Sequence, residues 1–358
     1  MKPVREGAAD AGTRMIKALI LAGFLTCGAL ICSGETAREP HIFFKQQMGL
    51  SEAQIEMISR GHAIAKVLPS SSPAEIIVFG AVYVNASPDE YAKLAFDPNW
   101  LRHLPGYLAV SRFSDPALIS DLTGFTLEPD DIRTLKACRP GKCEVQLQLG
   151  AMRELQQELG LSDPDVTIHV NERVRKMALE LLRRYRQDGN QVLGSYCDTK
   201  SPFDVNEKLR SFLGRSEALP VYLPELTRYL LDYPNVKPAN GESLFYWERV
   251  TFGLKPTLRL NHAISYQSAG PKGVVHVVAV KQLYASHYLQ LALDLTVSVR
   301  ESGRSAEKGF YLISLKGSIQ QGLTGWKGSL LRRVIVGRTR SAQESHLINI
   351  KRLLEEQP

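Results

Sequence analysis

The chain has 358 residues, 44% of them apolar and 23% charged, and a formal net charge of +7. That length can bury a large core, and that composition excludes wholesale disorder. The basic excess is modest and spread over several segments, so it favours acidic surfaces such as anionic lipid and carries no nucleic-acid signature.

Lys17 precedes an apolar run from Ala18 to Cys32, followed by Ser33 and Gly34. The run is shorter than the roughly 20 residues a membrane span needs. A charged start, a short apolar centre and small residues before Glu35 predict a secretory signal over residues 1–34, cleaved near Gly34, and an exported, periplasmic or secreted protein. Met15 opens the more typical signal, so residues 1–14 read as an over-extended start. An uncleaved membrane anchor is the alternative. Cys138, Cys143 and Cys197 lie beyond the signal. Pro140-Gly141 can turn the chain between the first two, which predicts a disulfide in an exported protein. A metal site is the rival, but it needs more ligands, and there is no second cysteine pair and no nearby histidine. Cys197 is left over, either buried or exchanged into the pair.

Residues 35–75 read as an N-terminal helical lead-in. Its start is loose, and a capping-box pattern, Ser51 with Gln54, then opens a helix expected to reach about Val67 despite Gly61. Ser70-Ser71-Ser72-Pro73 breaks the chain. Residues 76–84 are rich in β-branched and aromatic side chains and predict a strand. Pro88 then opens a helix through Tyr91, Leu94 and Ala95 that ends before Pro98. A strand is expected at 107–113 and a hairpin around the cysteine loop at 132–149.

Residues 151–240 read as a mainly helical insertion. Val174, Met177, Ala178, Leu181, Leu182 and Tyr185 recur at helical spacing, with Gly189 as the stop. The opposite face carries Arg173, Arg175, Lys176, Arg183, Arg184 and Arg186, a surface for anionic lipid or simply a solvated face. Asp204 and Pro224 open two further helices. Strands resume at 244–252, and 257–266 with 274–284 form a hairpin around residues 268–273. With Tyr266 opposite Val274, both His262 and His276 would share a face with Leu258, Leu260 and Val280. From Leu289 to Arg300 the odd positions are all Leu or Val, while the even ones are Gln290, Ala292, Asp294, Thr296, Ser298 and Arg300. That alternation predicts a strand with one apolar face on a core. A strand at 310–316 and a helix of about thirty residues close the chain. The helix carries an apolar stripe of Leu331, Val334, Ile335, Ala342, Ile350 and Leu353, interrupted by Arg338 and His346.

The opening Ala81-Val82-Tyr83-Val84-Asn85-Ala86-Ser87-Pro88-Asp89-Glu90 resembles the first strand and proline-started helix of the START-like (SRPBCC, helix-grip) superfamily. The ending, from Leu323-Thr324-Gly325-Trp326-Lys327-Gly328-Ser329 through Leu353-Leu354-Glu355, resembles that family's last turn and terminal helix. The resemblance covers residues 76–149 and 241–356. It implies an α+β fold, a curved antiparallel sheet gripped by a long C-terminal helix, built from residues 76–150 and 241–358 around the insertion. The family includes lipid and sterol carriers, hormone-binding proteins and aromatase/cyclase enzymes, which share a cavity between sheet and helix. Such a cavity is apolar with few polar groups. His262, His276, Tyr284, Arg338 and His346 are the candidates for those groups.

The remaining sequence carries no catalytic signature. Gly322-Leu323-Thr324-Gly325-Trp326-Lys327-Gly328-Ser329 lacks the Gly-Lys-Ser/Thr order of a phosphate loop, and there is no H-E-x-x-H or G-x-S-x-G. Ser286 and His287 are neighbours in sequence and would point to opposite faces if that segment is extended. The reading is therefore an exported START-like protein that binds a lipid or isoprenoid without turning it over, with no metal, cofactor or catalytic residue. Two rivals stand beside it. One is a cyclase- or hydrolase-like enzyme built on a polar cluster around His262, His276 or Tyr284. The other is an envelope structural protein acting through the 151–240 helices.

Overall fold

The computed structural model describes residues 40–160, 165–216, 218–251, 254–270, 273–300 and 309–356. The expected signal at 1–34 lies outside the described residues. Eight strands build the main sheet: β1 (Ile64–Leu68), β2 (Glu75–Val84), β3 (Tyr107–Arg112), β6 (Glu242–Val250), β7 (Thr257–Gly270), β8 (Gly273–Ala285), β9 (Leu289–Val299) and β10 (Phe310–Gln320). The small pair β4 (Ser195–Tyr196) and β5 (Phe203–Asp204) stands apart. The eight form one antiparallel sheet in the order β1-β2-β10-β9-β8-β7-β6-β3, which leaves β1 and β3 as open edges. With the helices between and after them, this is a mixed α+β architecture.

Helices cover both faces of the sheet. On one face, the helices Leu149–Leu159, Val166–Asp188, Val205–Gly214 and Pro224–Asp232 share a core with Leu260 and Ile264 of β7 and Leu291, Leu293 and Leu295 of β9. The lead-in covers the β2 end of the same face, where Phe44, Leu50, Ile55 and Ile58 pack on Phe79, Ala81 and Tyr311. On the other face lie the capped helix Pro88–Ala95, the turn Pro98–His103 and the terminal helix Gly325–Glu355. Leu347, Ile350 and Leu354 of that helix pack on Val82, Val84, Phe310 and Leu312. Gly80 permits the close approach, since a Cβ there would sit 2.8 Å from Leu347 Cδ1.

The alternation of β9 is therefore as expected, but its apolar side belongs to the insertion helices and not to the terminal helix. Asp294, Thr296 and Ser298 look toward the terminal-helix side. Alternation alone does not say which layer takes which face when both are covered. The apolar stripe of the terminal helix also divides. Ile350 is buried, whereas Leu331, Val334 and Ala342 are exposed. No helix among the described residues is long and apolar enough to cross a membrane.

Three local expectations are corrected. The helix opened by Ser51 ends at Ser59, because Gly61 turns the chain at φ +84°, and residues 64–68 pair with β2 as β1. The hairpin expected at 132–149 is instead a helix, Pro129–Leu135, that buries Ile132 and Leu135, followed by a tight turn. That turn keeps only the single bridge Arg139↔Lys142 of a hairpin, and Cys138 and Cys143 are disulfide-bonded across it. Cys197 is free. Finally, Tyr266 pairs with Val277 and Gly270 with Gly273, three residues from the expected register. The turn is a two-residue one, its tip outside the described residues, where a six-residue loop was expected. An odd shift reverses which side chains share a face.

Candidate functional site

Under the terminal helix is a cavity of about 70 Å³. The register of the sheet puts charge there. Glu248 on β6 faces Arg259 on β7, and Asp294 on β9 faces Lys316 on β10. The Arg259 guanidinium bonds Glu248 Oε1 at 2.6 Å and Gln282 Oε1 at 3.1 Å, and Lys316 Nζ lies 3.9 Å from Asp294 Oδ2. Burial pushes the Glu248 carboxyl up, and Arg259 opposes that shift. Burial, and then the nearby Glu248 carboxylate, push the Tyr107 and Tyr246 phenols up as well, so they stay neutral. Glu248 Oε2 has no hydrogen-bond partner among the described residues. The space has room for a few waters, which would satisfy that oxygen, and its walls combine these charges with apolar residues such as Leu101, Leu244 and Ile350.

A second cavity, of about 150 Å³, opens on the opposite face. It lies at the seam between the lead-in and the insertion. Phe43 and Met48 come from one side, Leu219, Tyr222 and Leu223 from the other, and Phe43 meets Tyr222 edge-on at 5.5 Å. The floor is the odd side of two neighbouring strands, Leu295 and Val297 of β9 with Ile313 and Leu315 of β10. Besides the Tyr222 hydroxyl, the polar side chains lining it among the described residues are Ser216 and Ser268. A pocket of this volume with a mainly apolar lining has the size and chemistry for a ring-sized apolar group.

The five residues expected at a ligand do not converge. His346 lines the polar cavity, where burial and the Lys316 charge hold its imidazole neutral. His276 is on the same face, 3.2 Å from Asp89 Oδ1, and burial lowers its pKa against that carboxylate. His262 is on the insertion face, with Nδ1 3.0 Å from the Tyr185 hydroxyl and Nε2 2.9 Å from that of Tyr229. Phe245 stacks on it at 4.4 Å, and burial and then Lys281 keep it uncharged. Tyr284 is on the insertion face too, against Tyr196 at 6.3 Å between ring centroids. Arg338 is exposed on the first half of the terminal helix. The shifted register is what separates His276 from His262, while Tyr284 stays on the His262 face.

The Ser286–Tyr288 segment is structural. The Ser286 hydroxyl accepts from the Leu258 amide at 3.0 Å, while His287 is held between Asp131 Oδ2 at 2.9 Å and the Glu144 carbonyl at 3.0 Å. Burial pushes the Asp131 carboxyl up, but the His287 bond and the Lys255 charge outweigh it and leave it below the usual range. Both His287 ring nitrogens are engaged and the ring is buried. Among the described residues no group of three His, Cys, Asp or Glu side chains could hold a metal ion. No protein family, curated protein or solved structure matches the chain.

Sequence reasoning missed Glu248, Arg259 and Lys316 in the polar cavity, and Phe43 and Tyr222 in the apolar one. Only the first group left a trace, as charged residues inside otherwise strand-like segments. Phe43 sits in a stretch without periodicity, and its partner lies some 180 residues away in the chain.

Proposed function

We propose that this is an exported protein of START-like type that binds the apolar part of a lipid or isoprenoid and does not turn it over. The apolar cavity between lead-in, insertion and sheet carries the reading. Its lining offers dispersion contacts and almost no polar group to orient a reaction. The element order supports the family reading: a strand, a proline-led helix, a run of antiparallel strands and a long closing helix. The seat of the ligand in this reading differs from the family expectation, because the space under the terminal helix is smaller, about 70 Å³ against about 150 Å³, and Glu248, Arg259, Asp294 and Lys316 line it. The cavity takes one ring or the branched end of a prenyl chain. A longer chain has to part the lead-in from the insertion at the Phe43–Tyr222 contact.

The test is native mass spectrometry of the full chain, with titration by a fluorescent fatty acid. Bound lipid, or saturable binding lost in a cavity-filling Val297→Trp variant that keeps its fold, is the expected result. An empty protein whose probe binding ignores Val297→Trp would end the proposal. Chemically altered lipid in the extract would end its non-catalytic part.

A further inference from the structure

The terminal helix is 31 residues long, yet only its second half is built into the core. Gln343, Leu347, Ile350 and Leu354 are buried there. Along one side of the first half, Ile335 and Val336 meet Ile76 and Val78, and Arg332 donates to Ser70 Oγ and the Glu75 carbonyl. The side facing away is apolar. Trp326 is 79% exposed, Leu330 65%, Val334 49% and Leu331 45%. Trp326, Leu330 and Val334 are four residues apart and therefore form one line along the helix. The same geometry puts Arg333 and Arg340 along one flank of that line and Arg338 beside Leu331 along the other.

Charge then selects the partner. Residues 325–343 contain Lys327, Arg332, Arg333, Arg338 and Arg340 and no acidic residue. An apolar line flanked by arginines suits the plane where headgroups meet acyl chains. A second copy of the same helix would bring like charge against like charge. The basic face expected at residues 173–186 is a weaker candidate, because Arg173 is paired with Glu154 and Arg186 with Asp115.

We propose that the first half of the terminal helix docks on an anionic bilayer, with Leu330 and Val334 entering the acyl boundary and Arg333, Arg338 and Arg340 meeting lipid phosphates. The surface is separate from both cavities, so this proposal and the ligand reading fail independently.

Tryptophan emission of the full chain tests it. Trp100 and Trp247 are 9% and 2% exposed, so a shift on adding vesicles reports Trp326, whatever the apolar run near the N-terminus does. Vesicles of phosphatidylglycerol and phosphatidylcholine in equal parts should shift the emission to the blue, and a Trp326→Phe variant should lose the shift. Phosphatidylcholine alone should give none, and added salt should weaken it. Leu330→Ser with Val334→Ser, or Arg333, Arg338 and Arg340 each to Gln, should raise the lipid needed about tenfold while near-ultraviolet circular dichroism stays unchanged. Because these side chains are exposed, folding should survive their replacement. No shift with anionic vesicles, an equal shift with neutral ones, a shift that follows protein concentration without lipid, or substitutions without effect would each overturn the proposal.

Discussion

Lys281 is buried on the insertion face with a single hydrogen-bond acceptor, Asn190 Oδ1 at 2.6 Å, and the Tyr185 ring 4.8 Å away. Burial lowers its pKa from 10.5 to about 7. Above that pH the folded chain has released a proton that the unfolded chain keeps until about 10.5, so the unfolded state binds more protons. Stability should therefore rise with pH above about 7, by up to about 1.4 kcal/mol per pH unit, and the penalty is fully present below it. Urea melts at about pH 7.5 and 9.5 should show that rise, and Lys281→Met should flatten it. The Glu248–Arg259 pair makes a complementary case. Arg259→Met strands a buried carboxylate and should cost about 3–5 kcal/mol, whereas Glu248→Leu with Arg259→Met should recover most of the loss in the same melts. The identities of these charges are plain in the sequence, but their partners are not. A residue's face follows from strand parity, and parity at β7 and β8 hung on a turn length that Ser268-Ala269-Gly270-Pro271-Lys272-Gly273 leaves open.

Strong local periodicity was readable at the level of elements. β2, β9 and the proline-led helix fall where alternation and capping put them, because each carries its own signal. β1 was missed because its five residues follow a helix, and only the neighbouring strand makes them extended. The terminal helix was legible as a helix but not as two halves, since Leu330 and Leu347 look alike until the sheet is in place. Gly80→Val tests how the second half is held. A side chain at Gly80 collides with Leu347 and Gln343, so hydrogen exchange at residues 343–354 should speed up while β6 to β8 keep their protection. The Cys138–Cys143 link closes a short loop and so constrains the unfolded chain only modestly. Reducing it should cost about 2 kcal/mol, measured as a fall in the urea midpoint.

For the molecule as a whole, burial holds three histidines, His262, His276 and His346, below their ordinary pKa of 6.5. The folded chain leaves them neutral while the unfolded chain protonates them near 6.5. The contribution of these histidines to stability should then be constant above that pH and fall as the pH drops below it, with the unfolding midpoint tracking the loss and His346→Gln reducing its slope. The class of fold could be read from the sequence because an alternating strand and a long closing helix are local features. The apolar cavity could not, because it is made where three distant segments meet. Residues 149–232 share a core with strands that lie after them in the chain. A nascent chain therefore releases these helices before β6 to β10 exist to shelter them, and their greasy sides stay open to wrong partners until synthesis is nearly complete. A chain truncated before Leu289 should therefore aggregate rather than settle as a smaller domain, as light scattering of the fragment would show.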